Sequence, residues 1–106
     1  MTKFIYLYRG PAPKSEPTAE QGSARLAAFT AWIDKVGSAL VDVGSPFGAS
    51  VSVRDDGTET EAGDLIGYSV LEAADLAEAK AFTAGLPFLA GSDGTCAVEI
   101  FEMVAL

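Results

Sequence analysis

Apolar and polar positions along the chain follow two rhythms, one of period two and one that alternates steps of three and four. The first run, "KFIYLYR" at 3–9, is β-branched and aromatic and stops at Gly10-Pro11, which predicts a strand. Phe4, Tyr6 and Tyr8 fall on one of its faces, Ile5 and Leu7 on the other. The following "GPAPKSEPTAEQGS" carries Pro11, Pro13 and Pro17, which break ladders and helices alike, and reads as a surface loop. A helix is expected next. Thr18 and Gln21 have capping-box spacing, with Ser23 as a rival start. Leu26, Phe29, Ile33, Val36 and Leu40 then share a face, widened by Ala28 and Trp32. Gly37 weakens that helix by roughly 1 kcal/mol relative to alanine. Gly44 is placed at its C′ position and Pro46 stops it from resuming.

The stretch "VDVGSPFG" at 41–48 thus reads as a helix stop and a strand entry, with Phe47 filling the core or an interface. A second strand is expected over 49–54, "ASVSVR", where Val51 and Val53 alternate with serines. Asp55-Asp56-Gly57 is a turn signal, and the acidic "TETEAGD" an exposed hairpin end. "LIGYSVLEA" at 65–73 is a third strand. Asp75 caps a second helix with Leu76, Ala79, Phe82 and Leu86 inward, ended by Gly85 and Pro87. "TCAVEIFEM" at 95–103 is the last strand. The order β-α-β-β-α-β predicts an α+β, ferredoxin-like fold with an antiparallel four-stranded sheet, as one domain over 1–106.

Both faces of that sheet carry apolar side chains. Ile66, Tyr68 and Val70 oppose Leu71 and Ala73; Val98 and Ile100 oppose Phe101 and Met103. Two helices cover one face only, and a second face of this kind exceeds the few hundred Å² that monomers usually expose. A homodimer packed sheet against sheet is the economical solution. Tyrosine hydroxyls and Glu72, Glu99 and Glu102 leave open the alternative of a wetted second face on a monomer.

Composition narrows the partners. The chain has 15 acidic and 7 basic residues, a net charge of −8, and its basic residues are scattered. Such a surface repels phosphate backbones and anionic lipids, so neither nucleic acid nor membrane is an expected partner. The N-terminal apolar run is shorter than a secretory core of about 7–15 residues, and a single cysteine, Cys96, suits a reducing compartment. A cytoplasmic protein is the expectation.

With no histidine in the chain, acid–base work at neutral pH falls to a carboxylate, a tyrosine or the cysteine. Asp42 is the candidate base: the expected helix C-terminus beside it carries partial negative charge and would raise its pKa. Its plainer role is to face water or to cap a nearby amide. Tyr6, Tyr8 and Tyr68 are candidates to line a ligand pocket, where phenols stack on rings and hydrogen-bond; filling an interface is the plainer alternative. Arg9 is a candidate for a carboxylate ligand, or the partner of a surface acid. Phe47 joins the candidate ligand-binding set from the "VDVGSPFG" turn. Cys96 reads as an inert small hydrophobe without a histidine to activate it. No metal and no cofactor are expected: zinc lacks histidine and a second cysteine, and Asp55, Asp56, Glu59 and Glu61 lack the ligand order of a calcium loop.

"FIYLYRGP", "AWIDKVGSALVDVGSPFG", "GYSVLEAADLAEA" and "VEIFEM", in this order and spacing, resemble the YciI-like (YCII-related) family of small bacterial proteins. The resemblance runs over nearly the whole chain. It implies a ferredoxin-like unit of the dimeric α/β-barrel superfamily, paired through its sheets. Some members of that family act on chlorinated aromatic rings with a histidine–aspartate pair. Here Ala24 and Arg25 stand near the expected histidine, Pro87-Phe88 replaces another, and Asp34 lacks an imidazole partner. Three functions follow: a homodimeric domain binding a small apolar or aromatic ligand between sheet and helices; a lyase or isomerase, dehydratase or dehydrochlorinase in kind, working with carboxylate and tyrosine groups; or a structural or regulatory interaction module.

Overall fold

The computed structural model describes residues 1–10, 18–91 and 94–105; residues 11–17 of the expected proline-rich loop lie outside them. Strand β1 (Thr2–Arg9) leads to helix α1 (Ala19–Val36), strand β2 (Leu40–Pro46), the short strands β3 (Ser52–Val53) and β4 (Glu59–Thr60), strand β5 (Leu65–Ala73), helix α2 (Leu76–Ala81) and strand β6 (Ala97–Glu102). The main sheet is antiparallel in the order β2-β5-β1-β6. This is the ferredoxin-like α+β arrangement that the element order predicts.

Alternation decides what the sheet buries. Phe4, Tyr6 and Tyr8 of β1 sit opposite Leu71, Ser69 and Gly67 of β5, and Tyr6 and Tyr8 sit opposite Ile100 and Val98 of β6. This is the face under the helices: Phe4, Tyr6, Leu71, Ser69 and Ala73 are buried there with Trp32 and Val36 of α1. Ile5, Leu7, Val70 and Phe101 share the outer face, where Phe101 is 52% exposed. Glu72 pairs with Lys3 and Glu99 with Leu7, on opposite sides of β1, so these two acids are not neighbours.

Helix α1 starts where its capping box directs. Thr18 accepts from the Gln21 N–H at 3.1 Å, and the Gln21 side chain accepts from the Thr18 N–H at 3.0 Å. Two of the orphan donors at the helix start are thereby satisfied. The inward stripe is Phe29, Trp32, Ile33 and Val36; Leu26 faces solvent. Trp32 ties the two helical elements together, its indole N–H donating to the Phe82 carbonyl at 2.8 Å. Asp75 caps α2 through the Glu78 N–H at 2.8 Å, and Leu86 is buried beyond the helix, whereas Leu76 is exposed.

The expected helix to residue 43 is corrected. α1 stops at Val36, because Gly37 adopts φ 65° and ends the helical path. A 3-10 turn over Gly37–Ala39 leads directly into β2. The second strand of the main sheet is therefore Leu40–Pro46, and 49–54 is not in that sheet: only Ser52 and Val53 are paired, in a separate ribbon with Thr60 and Glu59. Leu40, whose spacing fits the helical stripe, packs against the core from a strand, opposite Leu71.

Candidate functional site

β2 is an edge strand whose pairing with β5 is interrupted twice, between Leu40 and Asp42 and between Asp42 and Ser45. The second interruption bulges at Val43-Gly44. Gly44 has φ 85°, and a Cβ there would lie 1.7 Å from the Tyr68 carbonyl oxygen. The bulge thus presses backbone on backbone, and only glycine fits.

Beneath this bulge, at the junction of β2 and β5 with α1 and the Pro87–Leu89 turn, lies a cavity of about 280 Å³. It is lined by Tyr8, Phe29, Phe88, Ile66 and the bulged segment Val43–Pro46, with Gly67 and Tyr68 along β5. Tyr8 and Phe88 form one corner, their rings 5.3 Å apart and tilted at 49°. Gly67 lies close under the bulge: a Cβ on it would meet the Ser45 carbonyl oxygen at 3.1 Å. Hydrocarbon dominates the walls, and no lysine or arginine is among the described lining residues.

A hydrogen-bonded chain leads from Tyr8 in the wall to the bulge. Tyr8 Oη lies 2.7 Å from Ser69 Oγ, and Ser69 Oγ donates to the Val43 carbonyl at 2.6 Å. This chain joins β1, β5 and the β2 bulge. Burial pushes the Tyr8 phenol above its ordinary pKa, and the Tyr6 phenol further still. Tyr6 lies apart from the cavity. Its ring is fully buried, edge-on to Tyr8, and its hydroxyl donates to the Ala79 carbonyl.

Asp42 is in a strand, not at a helix end, so no helix C-terminus acts on it. Its Oδ1 accepts the Gly44 N–H at 2.9 Å and its Oδ2 accepts the Tyr68 hydroxyl at 3.1 Å. This bond, first, and the charge of Asp42 raise the Tyr68 pKa. Phe47 is no core plug: it is 44% exposed and stacks on Tyr68, centroids 5.8 Å apart. Tyr68, Phe47 and Asp42 thus form one group beside the bulge. Arg9 stands away from it, with its guanidinium on Glu99 at 3.1 and 3.3 Å and on Asp64. Glu99 foremost holds Arg9 above its ordinary pKa.

The structure therefore brings Tyr8 and Tyr68 to the cavity, sets Asp42 and Phe47 against Tyr68, and puts Tyr6 and Arg9 elsewhere. A model of the YCII-related domain matches residues 3–104. The chain belongs to the YCII-related domain family. No curated protein and no solved structure matches it significantly. Within this YCII-related domain, Phe29 and Phe88 are cavity residues outside the candidate binding set, Phe88 standing where the family resemblance leads one to expect a histidine. Phe29 was hidden in a helix stripe. Phe88 carried a signal, an aromatic directly after Pro87, which opens the 3-10 turn Pro87–Leu89 rather than ending the second helix at Ala81. Among the described residues no three His, Cys, Asp or Glu side chains are grouped to hold a metal ion, and no helix is long and apolar enough to cross a membrane.

Proposed function

We propose that this YCII-related domain binds a small apolar or aromatic molecule in the cavity between the sheet and the helices, and pairs with a second copy through the outer face of the sheet. The aromatic lining of the cavity, Tyr8, Phe29 and Phe88, carries the first part. Its volume of about 280 Å³ suits a compound of one or two rings. The outer face, with Ile5, Leu7, Val70 and a half-exposed Phe101, supports the second.

A binding role fits the polar groups better than a lyase or isomerase role does. Tyr68 donates to Asp42 and has its pKa raised by it, so the phenol keeps its proton at neutral pH. Asp42 accepts from Gly44 on one oxygen and from Tyr68 on the other, and it is not among the cavity's lining residues. The pair braces the bulge rather than presenting a free base.

Titration of the protein with toluene, followed by two-dimensional NMR, tests the ligand reading. Saturable shifts around the cavity are expected, and Val43→Phe, which fills the space, abolishes them. Shifts that neither saturate nor respond to Val43→Phe overturn it. Sedimentation velocity tests the pairing: a dimer that Phe101→Glu splits is expected, and a monomeric wild type contradicts it.

A further inference from the structure

We infer that the cavity favours a ring ligand that carries its own hydrogen-bond donor, an N–H or O–H, over one of the same shape that can only accept. This rests on the reading of the cavity as a ligand site.

The inference follows from where each proton goes. The Val43 carbonyl only accepts, and Ser69 Oγ lies 2.6 Å from it, so the single hydroxyl proton of Ser69 is spent there. Tyr8 Oη lies 2.7 Å from the same Ser69 oxygen. Ser69 has no second proton, so Tyr8 donates. The relay has one direction, from Tyr8 to Ser69 to Val43. Ser69 is fully buried and Tyr8 nearly so, which holds the relay in place. What Tyr8 has left to offer at the cavity wall is an oxygen lone pair.

The Ser45 hydroxyl has spent its proton too, on the Pro46 carbonyl at 2.9 Å. Tyr68 pairs with Leu7 of the outer face, and its hydroxyl donates to Asp42. Even the Gly44 N–H is committed to Asp42. The remaining lining side chains are hydrocarbon. Among the described residues, a ligand acceptor atom therefore meets no free side-chain donor, whereas a ligand N–H or O–H meets the Tyr8 oxygen. One neutral hydrogen bond of this kind separates the two ligand types by roughly three- to tenfold in affinity.

Indole, benzofuran and indene share a shape and differ at one ring position: N–H, oxygen or CH₂. Their dissociation constants are measured by NMR titration against wild type, Tyr8→Phe and Ser69→Ala. Comparing ratios between proteins cancels the intrinsic hydrophobicity of each compound. The indole-to-indene affinity ratio is expected to fall roughly three- to tenfold in Tyr8→Phe. Ser69→Ala frees the Tyr8 proton and shifts the preference toward benzofuran. An indole-to-indene ratio unchanged by Tyr8→Phe overturns the inference while leaving the ligand site standing. Failure of all three compounds to bind removes the ligand reading and this inference with it. Should Ser69→Ala not fold, Tyr8→Phe alone decides, its fold checked by circular dichroism.

Discussion

Gly44→Ala is expected to be far more damaging than Gly37→Ala, although both glycines have positive φ. At Gly37 a Cβ meets nothing within 4 Å. Its cost is backbone strain alone, on the order of 1–3 kcal/mol. At Gly44 the Cβ would lie 1.7 Å from the Tyr68 oxygen, with the Tyr68 carbonyl carbon at 2.5 Å. Since real Cβ contacts do not fall below 3.0 Å, β2 must back away from β5 by at least 1.3 Å. That movement breaks neighbouring ladder bonds and pulls the Val43 carbonyl from Ser69. Each bond is worth about 0.5–1.5 kcal/mol net. With the strain included, Gly44→Ala should cost roughly 4–6 kcal/mol, a large part of the about 5–15 kcal/mol that holds a typical domain together. Urea unfolding is the assay, followed through fluorescence of the single tryptophan, Trp32, which is 2% exposed and reports burial directly. Equal losses in the two variants, within about 1 kcal/mol, would refute the close contact of β2 on β5.

Three further outcomes are expected. Trp32→Phe orphans the Phe82 carbonyl and leaves a void, costing roughly 2–4 kcal/mol by urea unfolding monitored with circular dichroism. Burial holds the Tyr6 and Tyr8 phenols above their ordinary pKa of about 10. Below that pH both folded and unfolded chains keep these protons. Above it the unfolded chain loses them first, so stability falls as pH rises toward the folded-state values. Phenolate absorbance at 295 nm should therefore rise together with unfolding; an ordinary titration of all three tyrosines in a folded protein contradicts this. Asp42→Asn removes the charge that raises the Tyr68 pKa, so one phenol should titrate at lower pH in the variant, and an unchanged titration curve would dismiss the Asp42–Tyr68 bond.

What the sequence could disclose depended on how regular each element was. Strand β5 was legible to the residue, because alternation runs unbroken and turn signals bound it on both sides. The capping residues Thr18 and Asp75 were legible for a local reason: a side chain three residues from its acceptor needs no tertiary contact. The passage from α1 to β2 was not legible. Leu40 prolongs the helical rhythm by coincidence, and two bulges erase the alternation that would have announced a strand. That error moved Asp42 from a strand to a helix end and supplied an electrostatic reason for catalysis that the fold does not provide. Tyr8 and Tyr68 were visible as candidates because a phenol can both stack on a ring and hydrogen-bond. Their division between the two faces depends on register, and so does the use of Ser69 to orient Tyr8. The cavity joins Phe29 and Phe88 across nearly sixty residues of chain, a contact that no local pattern encodes.

The most direct measurement is of intermolecular NOEs between toluene methyl protons and the aromatic rings of the protein. A ligand held between sheet and helices gives contacts to Tyr8, Phe29 and Phe88. Contacts confined to Ile5, Leu7 and Phe101 on the outer face, or none at all, would contradict it.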